Sequence, residues 1–316
     1  MSKVYIEMIK ANKGDSFIIN IENNKKLIRI LVDGGSERNS RTEDIYYNIK
    51  RIISSNGEKK INGIIVTHIH DDHIGGILKL LNDKEMNKYL DINNNFFIIF
   101  NDLLDAATIS YSQAIRLHQY IEKLNIKLIK SYSNAEKIEI NGFNIYISTV
   151  RTSARNKTKP LIKDFENDIN INLLLPIREE ENDVLKEIMK NWKKENSKLI
   201  NKSSIVFILE YKNKNVLLTG DSYINDIDNE LENINFNGHI ELLKIPHHGA
   251  YENNKNLEKF LKKYECNRLM LLTCKTQKHP DKEIIDKINK NNKIVTYCPY
   301  KIEEINNLSN EMKIFI

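Results

Sequence analysis

The stretch Thr-His-Ile-His-Asp-Asp-His-Ile-Gly-Gly, from Thr67 to Gly76, constrains this chain more than any other segment. The chain has 316 residues and 8 histidines, and His68, His70 and His73 fall within six consecutive positions. The preceding run Gly63–Thr67 is short and apolar and reads as a strand. If extended backbone continues through the cluster, His68 and His70 point to one side, because side chains alternate along a strand. Asp72 and His73 then open a turn and a helix, predicted over Ile74–Leu81. Two imidazoles and a carboxylate–imidazole pair can thus be aimed at one point. Imidazole together with carboxylate suits zinc, manganese or iron. The spacing is not that of a zinc finger, no cysteine is near, and a structural zinc site is normally closed by four ligands. The cluster instead offers two donor sets, enough to begin two adjacent metal sites. Asp71 reads as a spacer, and Gly75–Gly76 as room for close packing. His118 and His239 stand alone and read as ordinary surface or core histidines.

The rest of the chain supplies a strand-rich half on each side of a less regular middle. Val4–Ile9, Phe17–Glu22 and Leu27–Asp33 are β-branched-rich runs separated by turn-forming residues, a pattern of meandering antiparallel strands. Thr42–Ile53 has apolar residues at helical spacing, with Thr42 as N-cap and acids in the first turn. In the middle, Ala106–Leu124 reads as a helix, Phe143–Thr149 as a strand, Arg151–Asn170 as a polar surface loop and Asp183–Lys194 as an amphipathic helix. Strands return at Ile205–Tyr211 and Val216–Thr219, joined by a hairpin-like Lys-Asn-Lys-Asn. Further strands are Ile240–Ile245, Leu269–Thr273 and Ile294–Tyr297, alternating with helices at Leu257–Lys263 and Ile284–Ile288. No tandem repeat or low-complexity linker appears. The expectation is an α/β chain of two sheets packed face to face with helices outside. Residues 1–316 form one domain, with 101–200 as a divergent central insertion.

Composition narrows the class. Apolar residues are 41% and charged residues 29%, as in a soluble globular protein. The net charge is +5, compatible with a polyanionic substrate. The lysines are interspersed with acids, so a mixed-charge surface is the plainer reading than a dedicated basic patch. Cys266, Cys274 and Cys298 form no Cys-x-x-Cys, which suits buried thiols in a reducing compartment. The first residues have no secretory-signal pattern, and no apolar run reaches membrane-spanning length. A cytoplasmic protein with no membrane association is expected; nothing bears on its oligomeric state.

The histidine cluster resembles the signature of the metallo-β-lactamase superfamily, and further pieces follow in order. Val-Asp-Gly-Gly, Val32 to Gly35, matches the early aspartate motif, in which Asp33 orients the histidine loop. Leu-Leu-Thr-Gly-Asp ends at Asp221, and Lys-Ile-Pro-His-His-Gly runs from Lys244 to Gly249. The resemblance implies a four-layer αββα sandwich of two mixed sheets with outer helices, holding two divalent ions, zinc or manganese. It implies one site of His68, His70 and Asp221, and another of Asp72, His73, Asp221 and His248, with Asp221 bridging. Many members carry another histidine between the cluster and the bridging aspartate; here none lies between His118 and Asp221.

Gly14–Ile19, Asn201–Asp221, Leu243–Ala250 and Lys278–Ile285 together resemble the nuclease-like metallo-β-lactamase domain of the competence protein ComEC, without its transmembrane segments. That resemblance covers roughly residues 3–100 and 200–300. It implies metal-assisted hydrolysis of a phosphodiester, with nucleic acid or a nucleotide as substrate. Asp72 would orient the attacking water or take its proton. His247 would stand behind the ligands or face substrate, and His247 and His279 would stabilise charge or protonate the leaving oxygen. A helix-start histidine before Pro280 without a catalytic role is an equal reading of His279. A simple turn and a substrate contact are equal readings of Asp15 and Ser16. The alternative activity is hydrolysis of a carboxylic ester, lactone, thioester or phosphocholine ester, because fold alone does not choose the bond.

Overall fold

Alternate residues of the N-terminal strands bury into two different cores, and this fixes the layering. In the computed structural model, Ile28, Ile30 and Val32 face one apolar cluster while Leu31 faces another. The same split recurs at Ile65 against Ile64 and Val66, and at Phe97 and Ile99 against Ile98 and Phe100. A strand buried on both faces needs a layer on each side. The residues described are 2–11, 13–23, 26–36, 43–54, 60–94, 96–100, 112–130, 136–140, 143–147, 160–164, 169–175, 201–202, 204–272 and 278–316.

The first sheet contains β1 (Ser2–Met8), β2 (Phe17–Asn23), β3 (Lys26–Val32), β4 (Gly63–Val66), β5 (Phe97–Phe100) and β6 (Lys127–Lys130). With β17 (Lys313–Phe315) on its edge it has seven strands, in the order β17-β1-β2-β3-β4-β5-β6. β17, β1, β2 and β3 pair antiparallel; β3 through β6 pair parallel. The second sheet runs through β7 (Glu136–Ile140), β8 (Phe143–Ile147), β9 (Pro160–Asp164), β10 (Ile169–Leu175), β11 (Val206–Tyr211) and β12 (Lys214–Leu218). It continues through β13 (Ile240–Lys244), β14 (Arg268–Met270), β15 (Val295–Tyr297) and β16 (Leu308–Ser309). Its strands are antiparallel up to β12 and parallel from there on.

The inner faces meet in one core, where Val4, Phe17 and Ile30 of the first sheet pack with Phe207, Leu218 and Met270 of the second. Outside the first sheet, α1 (Glu43–Ser54), α2 (Asp71–Asn82) and α4 (Ser112–Lys123) cover Leu31, Ile64 and Ile98. The short α3 (Lys84–Asn87) follows α2 directly. Outside the second sheet, α5 (Ile224–Asn233), α6 (Leu257–Lys263) and α7 (Lys282–Asn289) cover Leu217, Leu243 and Leu269. The architecture is the expected αββα arrangement of two mixed sheets with outer helices.

Several local expectations shift. β4 stops at Val66, so His68 and His70 do not lie on a strand. Helix α2 starts at Asp71 rather than Ile74 and takes Asp72 and His73 into its first turn. Asp71 and Asp72 there suit the positive end of the helix dipole. Within Arg151–Asn170, read as a loop, Pro160–Asp164 pairs as β9 between β8 and β10. The central region is thus continuous with both sheets where it is described, β6 in the first and β7 to β10 in the second. The Asp183–Lys194 helix lies outside the described residues, as does Cys274. The Lys212–Asn213 turn has φ of 47° and 64°, the geometry of a tight hairpin with both central residues left-handed. No helix among the described residues is long and apolar enough to cross a membrane.

Candidate metal centre

The candidate metal donors and Asp33 follow the C-terminal ends of parallel strands. Asp33 follows β3, the histidine cluster β4, Asp221 β12, and His247 and His248 β13. Carboxyl ends of parallel strands are where open α/β sheets place ligands, because loops diverge there and leave a crevice. The two sheets are stitched at this edge by the Ile205 amide, which donates to the Thr67 carbonyl at 2.9 Å.

Close backbone contacts fix the histidine loop. Gly14 has φ +90°, and a Cβ there would lie 1.6 Å from the Asp72 carbonyl oxygen. Only glycine allows the Gly14–Asp15 turn to press on the cluster, and the Asp15 amide then donates to that carbonyl at 3.2 Å. The Gly34 amide donates to the His73 carbonyl at 2.7 Å, and the Gly76 amide to the Gly35 carbonyl at 2.8 Å. Asp71, the spacer, accepts from Gln113 of α4 at 2.6 Å and from Ser36, tying the loop to its surroundings.

The donors converge on Asp221 Oδ2. His73 Nε2 is 3.3 Å from it, His247 Nε2 3.6 Å, His68 Nε2 3.7 Å and His248 Nε2 3.8 Å. His248 Nε2 is also 3.4 Å from Asp72 Oδ2, and His68 Nε2 is 3.1 Å from His70 Nδ1. Donors on a tetrahedral ion with bonds of about 2.0–2.1 Å stand roughly 3.4 Å apart. Two groups, His68–His70–Asp221 and Asp72–His73–His248, therefore have the spacing of ligands around one ion each. Nε2 of His73, Nε2 of His248 and Oδ1 of Asp221 are buried without a hydrogen-bond partner. Buried polar atoms are normally paired. Their convergence fits divalent cations, with the Asp221 carboxylate between the two positions.

Hydrogen bonds to the far ring nitrogens set the tautomers, as at metal sites generally. His73 donates through Nδ1 to Asp33 Oδ2 at 2.8 Å, which leaves the Nε2 lone pair facing Asp221. Asp33 also accepts from the Thr67 amide at 2.8 Å and the Thr67 hydroxyl at 2.7 Å. The Thr67 hydroxyl, its proton committed, accepts from His68 Nδ1 at 3.1 Å. His248 donates through Nδ1 to the Leu272 carbonyl at 2.9 Å, with Asp15 Oδ1 at 3.1 Å. Ser204 holds Asp221 from behind by accepting from its amide at 3.1 Å.

Asp15 is neither a free turn residue nor a substrate contact. It is 1% exposed and pairs with Lys244, which is equally buried and also donates to the Gly220 carbonyl at 2.7 Å. Sequence reasoning missed this pair. The available signal was a lysine ending the apolar strand Ile240–Lys244, since a buried ammonium needs a carboxylate.

Electrostatics in the metal-free chain show how much negative charge the pocket holds. Burial opposes protonation of His73 and His248. The facing carboxylates outweigh it: Asp221 and Asp33 hold the His73 pKa well above 6.5, and Asp221 and Asp15 raise His248 to about 10. Burial and the neighbouring His73 instead push His68 well below 6.5, and burial lowers His70 and His247. Asp72 and Asp221 fall below the usual carboxylate range, because the surrounding imidazoles outweigh the penalty of burial.

His279 stands at the rim. Its ring centroid is 5.5 Å from that of His247, and its Nδ1 is 2.8 Å from Asp281 Oδ1. Asp281 Oδ2 accepts from the Tyr251 amide at 2.7 Å, so the carboxylate is itself held. The structure brings His68, His70, Asp72, His73, Asp221, His247 and His248 together and sets His279 beside them. His118 is in α4, and His239 is exposed before β13.

Comparison with known proteins agrees with this geometry. A model of the metallo-beta-lactamase superfamily matches residues 13–108, from the Gly14–Asp15 turn through the histidine cluster. Over those residues the chain is similar to that superfamily. No curated protein matches the chain. Among solved structures, the chain is similar to CmlA, a diiron beta-hydroxylase from Streptomyces venezuelae, with 10% identity and a TM-score of 0.47. That alignment covers 99% of this chain and 54% of CmlA, so the chain spans about half the length of that enzyme. A candidate metallo-beta-lactamase from Thermotoga maritima aligns at 14% identity and a TM-score of 0.31, over 65% of this chain and 68% of that one. A protein of unknown function from Enterococcus faecalis V583 aligns at 12% identity and a TM-score of 0.33, over 96% and 72%.

Proposed function

We propose that the chain is a metal-dependent hydrolase acting on a phosphodiester, with nucleic acid or a nucleotide as substrate. The observation that carries the hydrolase reading is the convergence of four imidazole Nε2 atoms on Asp221 Oδ2, at 3.3 to 3.8 Å. His68, His70 and Asp221 would hold one ion, and Asp72, His73, Asp221 and His248 the other. Bound there, two divalent ions supply Lewis acidity to water and to a substrate oxygen.

The chain's own residues divide the remaining work. Asp72, partly exposed and aimed at His248, orients the attacking water or takes its proton. Asp33 and the Leu272 carbonyl keep His73 and His248 in the ligating tautomer. His279, held by Asp281, is placed at the rim to protonate a departing alkoxide through its other ring nitrogen. The phosphodiester preference is supported by the ComEC-like order of motifs and by the net charge of +5.

The test is a hydrolysis screen with Mn²⁺ or Zn²⁺ over single-stranded DNA, duplex DNA, RNA, cyclic dinucleotides and acyl esters. Metal-dependent cleavage of a phosphodiester, lost in Asp72→Ala, is the expected result. Turnover of acyl esters alone would transfer the reading to an ester, lactone or thioester hydrolase. Full metal occupancy without turnover of any substrate would overturn it.

A further inference from the structure

We infer that His247 is the third protein ligand of the ion held by His68 and His70, in the place of the histidine absent between His118 and Asp221. The inference rests on the dinuclear reading above and extends it. The donor count motivates it: Asp72, His73 and His248 group on one side and His68, His70 and Asp221 on the other, so with Asp221 bridging as proposed the first ion has four donors and the second three.

The hydrogen bonds of His247 select its ligating form. Asn253 donates through Nδ2 to the carbonyls of Asp221 at 2.7 Å and Ser222 at 3.2 Å. Its amide orientation is therefore fixed, and its Oδ1 faces His247 Nδ1 at 2.9 Å as an acceptor. The shorter contact, to Asn253 Oδ1, selects the proton on Nδ1 over the 3.3 Å approach of the Asn201 amide nitrogen, and leaves the Nε2 lone pair free. Nε2 points at Asp221 Oδ2 from 3.6 Å, within the spread of the other imidazoles around that oxygen.

The backbone is bent to make this possible. His247 has φ 45° and His248 φ 54°, two successive left-handed residues between Pro246 and Gly249. Non-glycine residues in that region carry strain, which persists where surrounding contacts over-determine it. The His247 amide is pinned to the Gly220 carbonyl at 3.3 Å, and the Asn254 side chain donates to the carbonyls of Pro246 at 2.9 Å and Ala250 at 2.7 Å. The result is that two adjacent residues aim Nε2 at one carboxylate oxygen. On a regular strand they would face opposite sides.

The experiment is a Co²⁺ and Zn²⁺ titration of the chelator-treated full chain, read by bound-metal stoichiometry and cobalt d–d absorption. The wild-type chain is expected to bind two ions. His247→Ala is expected to lose one or bind it at least tenfold more weakly, as His70→Ala does, with no further loss when the two changes are combined. His247→Cys is expected to add a thiolate-to-cobalt charge-transfer band, a signal that a residue outside the ligand sphere does not give. Two ions bound by His247→Ala with wild-type affinity, or no new band in His247→Cys, would overturn the assignment while leaving the dinuclear reading intact. A wild-type chain that binds no ion would overturn both. Circular dichroism on each variant identifies any that does not fold, and the cysteine variant keeps the test decisive if the alanine one fails.

Discussion

The Asp33 carboxylate accepts from His73 Nδ1 at 2.8 Å, and this bond spans 40 positions of sequence and two strands of the first sheet. It couples the first strong turn of the chain to a ligand whose Nε2 faces Asp221. An Asp33→Ala variant loses the acceptor that fixes this tautomer and also frees Thr67. Losing such a support typically lowers metal affinity about 10–100-fold. Competition with a calibrated chelator is expected to show a loss in that range, with the fold retained by circular dichroism.

Asp221 is the only carboxylate whose oxygen lies within 4 Å of His68, His73, His247 and His248 among the described residues. Asp221→Ala is therefore expected to abolish both metal positions rather than one. Stoichiometry by elemental analysis checks this. Retention of one tightly bound ion would show that Asp221 does not bridge.

The buried Lys244–Asp15 pair predicts an asymmetric mutational response. Lys244→Met removes the closest cation beside the buried Asp15 carboxylate and leaves His248, and breaking a buried pair costs up to about 3–5 kcal/mol. Replacing both, as Lys244→Met with Asp15→Leu, removes the uncompensated charge and is expected to recover much of that loss. Urea denaturation of the chelator-treated variants measures both.

Metal uptake is expected to release protons at neutral pH. In the metal-free chain Asp221 and Asp15 raise His248 to about 10, so its imidazole is protonated at pH 7, and Asp221 and Asp33 shift His73 in the same direction. Ligation requires the neutral ring. Apparent affinity therefore rises with pH up to the raised pKa values. Calorimetry in buffers of different ionisation enthalpy is expected to show net proton release. For the metal-free chain the sign is the reverse. The stability His248 contributes is complete below its unfolded value, about 6.5, and is lost as pH rises through about 10.

Cys266 is 1% exposed, and burial pushes its thiol up to about 12. The thiolate is the reactive form. Native protein at pH 8 is expected to leave Cys266 unmodified by iodoacetamide, and unfolded protein to alkylate it, as read by peptide mass spectrometry.

The sequence alone determined the layering and pointed to most of the candidate donors. Near-continuous apolar runs such as Leu27–Asp33 suit a strand with two buried faces, and a rare residue type clustered at His68, His70 and His73 stands out against 8 histidines in 316 residues. Both signals are local, so a linear reading finds them. Three things were decided only by tertiary structure. The convergence of His68 and His70 does not come from strand alternation, because β4 ends at Val66 and the loop is shaped by Gly14, Asp33 and Ser36 instead. The supporting partners of the donors, Asp15 with Lys244 and Asn253 with His247, come from segments up to 229 positions apart, and no spacing rule links them. The aim of His247 depends on two left-handed residues held by contacts with Gly220 and Asn254. Backbone strain of that kind is paid for by the fold around it, so it leaves no trace in the order of the residues.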